Sequence, residues 1–137
     1  MGSYGFSTQL KCTFSEAIER VTNELKKEGY GIITDIDVQA TMKAKLNIDK
    51  KPYRILGACK PALANQAIDT ESDIGLLLPC NVVVREQAPG EIVVAFMDPV
   101  AVMNLVGRPE VYQLASEVKS QLERVSAALN KETLFGK

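Results

Sequence analysis

Cys59 precedes Lys60 and Pro61, and Cys80 sits between Pro79 and Asn81. Each thiol ends or breaks a short apolar block, Ile55–Cys59 in one case and Leu76–Val84 in the other. If these blocks are neighbouring buried strands, both sulfurs emerge at one end of a sheet. That is where open α/β sheets tend to bind ligands. A thiol at the start of a helix beside a lysine is biased toward thiolate. The same lysine and helix amides suit an anion. Cys59 and Cys80 therefore form a candidate thiol pair, with Lys60, Asn81 and Asp98 as candidate ligand-binding residues. For Cys59 and Cys80 alike, and more so for Cys12, the competing reading is plain packing, because free cysteine behaves as a small hydrophobe. Asp98 before Pro99 is explained more cheaply as a helix cap than as a general base.

Other chemistries are closed. The chain has no histidine, which excludes Ser–His and Cys–His catalysis and histidine-ligated metals within one chain. Neither a Gly-x-x-x-x-Gly-Lys loop nor a Gly-x-Gly-x-x-Gly turn occurs, and there is no Cys-x-x-Cys pair. A zinc shell built on two thiols would need Asp98, Asn81 or a second subunit to complete it. Two thiolates alone suit only a soft ion such as Cu(I). No metal and no cofactor is expected, and no enzyme class is assigned.

The 137 residues read as one domain, 1–137, with 46% hydrophobic and 24% charged residues, as in an ordinary globular protein. A net charge of −1 provides no global field for nucleic acid, and no run is long enough for a membrane span. The start lacks a signal-peptide layout, and three cysteines make an odd count with no disulfide framework. The expected compartment is the cytoplasm. Residues 43–60 carry six basic residues against Asp49, whereas residues 61–100 carry Arg85 against six acids. Without several interleaved aromatic rings, that basic segment reads as a solvated face rather than a nucleic-acid surface.

Alternation places Phe6, Thr8, Leu10 and Cys12 on one face of a first strand. Thr13 and Glu16 form a capping box for a helix with the stripe Phe14, Ala17, Ile18, Val21 and Leu25. Gly29 suits its left-handed end. A strand over 30–36 is followed by a helix over 38–46 capped by Asp37, with Val38, Met42 and Leu46 as its stripe; a strand is the competing reading there, because the segment is short. Tyr53–Cys59 reads as an interior strand, and Pro61 opens a helix over 61–70. A fourth strand is expected over about 75–87, broken near Pro79. Ala88-Pro89-Gly90 turns the chain into an antiparallel fifth strand over 91–97. A brief helical segment lies between Asp98 and Gly107. The final helix, about 109–131, carries the stripe Val111, Leu114, Ala115, Val118, Leu122, Val125 and Leu129. The order β-α-β-α-β-α-β-β-α implies an α/β protein, an α+β two-layer sandwich with one mixed, partly antiparallel sheet covered by helices. Parallel neighbours are expected early and a hairpin late.

Tyr53–Cys59 with Pro61, Gly75–Val84 and Asp98-Pro99 together resemble the prokaryotic domain of unknown function family numbered 302. The likeness runs from Ile36-Asp37-Val38 to the last helix. It implies a compact α/β domain, often a homodimer, with no agreed activity. Lys60 stands where that family usually has Asn or His.

Three functional readings follow. The first is a small-molecule or anion-binding module with a pocket near Cys59-Lys60-Pro61. The second is a thiol-based redox or metal-binding protein using Cys59 and Cys80. The third is a structural homodimer without chemistry of its own.

Overall fold

Period-two patterning, tight turns and capping residues divide the described residues into five strands and five helices. The computed structural model describes residues 2–135. The strands are β1 (Gly5–Lys11), β2 (Gly31–Asp37), β3 (Tyr53–Cys59), β4 (Cys80–Ala88) and β5 (Glu91–Met97). The helices are α1 (Phe14–Lys27), α2 (Val38–Leu46), α3 (Pro61–Thr70), α4 (Pro99–Met103) and α5 (Pro109–Phe135), with a 3₁₀ segment over Ser72–Leu77.

One sheet holds all five strands in the order β1-β5-β4-β3-β2, and each of its four pairings is antiparallel. The α/β class and the late hairpin stand, but the early parallel neighbours do not form. β1 and β2 run in the same direction, yet three strands separate them. The crossover through α1 therefore carries the chain from one edge of the sheet to the other.

The face bearing Leu10, Leu56, Ala58, Cys80, Val82, Val84, Ile92, Val94 and Phe96 packs on α1 and the C-terminal half of α5. From α1 come Ala17, Val21 and Leu25, and from α5 come Leu122, Val125 and Leu129. The Thr13–Glu16 capping box starts α1, with both reciprocal bonds made. At its other end Gly29 N–H donates to the Lys26 carbonyl and Tyr30 N–H to the Leu25 carbonyl. This double closure is the Schellman arrangement, and its C′ residue, Gly29, sits at φ +89° as that motif requires.

A second apolar cluster lies beyond the sheet. Its buried members are Ala67 of α3, Ile74 of the 3₁₀ segment, Met103 of α4, and Val111 and Ala115 of α5. The expected strand over 75–79 is absent: this stretch coils as the 3₁₀ segment and β4 begins at Cys80. The apolar run there does not alternate between two sheet faces. Ile74 is buried, Leu77 and Leu78 are half-buried, and Leu76 is 87% exposed. The α2 helix forms as patterned, with Asp37 accepting from Ala40 N–H, yet none of its residues is buried.

On the opposite sheet face, Gly57 leaves the space that its neighbours fill. A Cβ there would sit 2.1 Å from Thr34 Oγ1 and 2.6 Å from Pro79 Cγ, and no rotamer of the added methyl relieves that contact. Gly57→Ala is expected to lose about 1–3 kcal/mol of stability through forced displacement of β2 or Pro79. Urea denaturation measures it, and a midpoint equal to wild type refutes the close packing.

Candidate functional site

Between the two apolar clusters lies a pocket of about 300 Å³. Its walls come from the ends of β3 and β4, from α3, the 3₁₀ segment and α4, and from the N-terminal half of α5. All five buried members of the second cluster border it, so that cluster is a wall around a space rather than a filled core. The lining is apolar apart from Tyr30, Lys60, Cys59 and Cys80, and includes Met103. A bulge between Ile32 and Thr34 leaves Ile33 unpaired and turns it to the pocket rim, where it is 59% exposed.

Both candidate thiols border this pocket. Register explains their proximity: Cys80 pairs with Ala58, and Cys59 is the next residue along β3. Their settings differ. Cys80 is buried and Cys59 is half-buried. Burial, followed by the neighbouring Cys59, pushes the Cys80 thiol up to about 11. A thiol held protonated at neutral pH is a poor nucleophile and packs as an apolar group. Cys12 lies far along the chain on β1's margin, packed against the main core, and burial raises its thiol pKa as well.

Lys60 is the charged residue among the described residues of the lining. It occupies the N-cap position of α3 and offers that helix no side-chain acceptor. Its Nζ lies 5.6 Å from the centroid of the Tyr30 ring, within cation–π range. Gly29 makes room for it, since a Cβ there would meet Lys60 Cε at 3.0 Å. Tyr30 is itself fixed by a buried hydrogen bond from its hydroxyl to Gln121 Oε1 on α5, and Gln121 Nε2 donates onward to Glu117. Burial, then the nearby Cys80, Glu117 and Glu28, raises the Tyr30 pKa, so the phenol is neutral throughout the physiological range. Beside it Glu28 takes a two-point bond from Arg124, at 2.9 and 3.1 Å. That bond holds the Glu28 carboxyl below its ordinary value.

The other candidate ligand residues lie elsewhere. Asn81 is exposed and pairs opposite Gly57 on the sheet face away from the pocket. Asp98 caps α4, accepting from Val100 and Ala101 N–H, and pairs with Lys119 Nζ at 3.0 Å. Burial raises its pKa, but the Lys119 ammonium and the Ala101 and Val100 amides outweigh that, and the net shift is downward. Among the described residues no group of three or more His, Cys, Asp or Glu is arranged to hold a metal ion.

Sequence reasoning missed Tyr30, Ala67, Ile74 and the Val111–Ala115 end of α5 as pocket residues, and Gln121 as the residue that fixes Tyr30. One signal was present: the final helical stripe is longer than any strand beneath it can cover.

The family model described as "Domain of unknown function DUF302" matches residues 6–129, so the chain belongs to that family. A crystal structure of an uncharacterised conserved DUF302 protein from Bacillus stearothermophilus has the same fold. It is 23% identical, with a TM-score of 0.84, over 92% of this chain and 98% of that one. No curated protein matches the chain.

Two outcomes are expected. Iodoacetamide should label Cys59 in the folded protein at pH 8, while Cys80 reacts appreciably only as pH approaches 11 or after unfolding. Mass spectrometry of the peptides reads both, and equal rates at pH 8 refute the contrast. For Asp98 the folded pKa lies below the ordinary 3.8, so its contribution is present above that value and lost as pH falls through the lowered one. Asp98→Asn should therefore lower the urea midpoint at pH 7, with the gap between the two proteins closing as pH falls below the ordinary carboxylate value.

Proposed function

We propose that this DUF302 domain is a small-molecule-binding module whose site is the pocket beside Cys59, Lys60 and Pro61. The observation that carries the reading is the second apolar cluster, whose buried members all face one space of about 300 Å³. Interiors are ordinarily packed with few voids larger than a water molecule. A space of this size lies at the small end of ligand pockets, which run from roughly 300 to 1,000 Å³. Lys60 at the edge supplies a single fixed polar contact, the usual complement to an apolar wall.

Two features weigh against the thiol reading as the primary one: the Cys80 thiol is raised by burial, and its sulfur lies on the wall of an apolar pocket. A homodimer is the second reading. It draws support from α2, a helix that buries none of its residues, and from the exposure of Ile36, Leu46 and Ile48 in the same region. Sedimentation across a concentration series tests it, a strictly monomeric profile being the contrary result. The unpaired thiols fit a cytoplasmic setting, where cysteines stay reduced.

Thermal midpoints measured against a library of small apolar molecules and anions test the binding reading. A true ligand at a hundredfold excess over its Kd should raise the midpoint by roughly 10 °C in a domain of this size. Ala67→Phe, on α3, and Ala115→Phe, on α5, each fill the pocket from its lining. Both should abolish the shift while leaving the unliganded midpoint unchanged or higher. A shift that survives both plugs, or no shift with any compound, overturns the reading.

A further inference from the structure

We infer that the pocket takes a small anionic amphiphile, its apolar body lodged between the two clusters and its carboxylate held by Lys60. This inference rests on the pocket reading above and names the ligand class for it. Three observations converge. The wall is aliphatic and its rim is too, with Ile33 and Ile68 exposed at 59% and 44%. A ligand therefore meets apolar surface both on approach and in place. No carboxylate borders the space, and Lys60 is the charged residue there among the described residues. The Lys60 charge is also left over from the local pairing. Glu28, the acid next to it, feels the Lys60 charge but is bonded at two points by Arg124 instead, and the Lys60 ammonium lies over the face of Tyr30.

Geometry also fixes where the head group goes. The lysine stem is laid across Gly29, which lacks the Cβ that would displace it, and the ring beneath is pinned by the Tyr30–Gln121 bond. The ammonium is thus positioned before a ligand arrives, which lowers the cost of ordering it on binding. Lys60 also stands at the start of α3, a helix of 10 residues whose positive end adds to the attraction for an anion. A neutral ligand gains nothing from either feature, and a cation is opposed by both.

The experiment uses three probes with one carbon skeleton (octanoate, octanol and octylamine) plus acetate as a head group without a body. Isothermal titration calorimetry gives each Kd on the full chain, wild type, Lys60→Gln and Lys60→Arg. Octanoate is expected to bind wild type about tenfold more tightly than octanol, the scale of one charge-assisted hydrogen bond. Octylamine should bind more weakly than octanol, and acetate not measurably. Lys60→Gln should bring octanoate to the level of octanol, and Lys60→Arg should keep most of the preference. Octanol matching octanoate in wild type, or an octanoate preference undiminished in Lys60→Gln, overturns the anionic class while the pocket still binds. Failure of all three skeletons to bind overturns the pocket reading with it. Circular dichroism of each variant confirms that the fold is intact; Lys60 is half-buried and bonds no side chain that the fold depends on.

Discussion

The structure turns on a mismatch of lengths. With 27 residues, α5 runs for about 40 Å at 1.5 Å per residue. Strands of seven to nine residues span only roughly 23–30 Å. The apolar stripe of α5 nevertheless continues along its length, so the half carrying Leu122, Val125 and Leu129 meets the sheet while the half carrying Val111 and Ala115 projects past it. Exposed apolar surface on that overhang has to be covered by something other than strands. The chain supplies α3, the 3₁₀ segment and α4, three short pieces that cannot close on a helix as completely as a sheet can. The pocket is the space they leave.

Polar groups around that space divide into those committed to structure and those left over. Tyr30 and Gln121 bond each other and tie the end of α1 to the middle of α5. Glu28 and Arg124 make a second tie between the same elements, closer to solvent; exposed pairs of this kind are individually weak. Asp98 and Lys119 link the start of α4 to α5. Once these pairs are formed, the carboxylate nearest Lys60, that of Glu28, is bonded to Arg124 rather than to the lysine. The thiols contribute differently. Cys80 packs into the main core beside Val82, and its elevated pKa follows from that burial rather than from any arrangement that activates it.

Local patterns proved legible where local forces decide. The Thr13–Glu16 box, the Asp37 cap, the Pro61 helix start and the turn at Gly90 are all set by residues within four positions of one another, and each forms as the sequence reads. The stretch 75–79 departs from the expected strand for the converse reason. An unbroken apolar run fits either a buried strand or a coil that buries alternate thirds of itself. Packing of Ile74 against α5, more than thirty residues away, selects the coil. Parallel neighbours were expected from β-α-β order, but that rule describes only strands that end up adjacent. β5 and β4 enter between β1 and β2, a decision made by the late hairpin.

By itself the sequence determined the elements, their caps and the absence of histidine-based chemistry, because these depend on residue type and short-range spacing. It also placed Cys59 and Lys60 at the end of a strand and the start of a helix. Only the tertiary structure decided that Asn81 faces away, that Asp98 is spent on Lys119, and that Tyr30 joins Lys60 at one rim. Those outcomes depend on which faces meet across long stretches of chain, and register in a sheet reverses a side chain's destination with a shift of one residue.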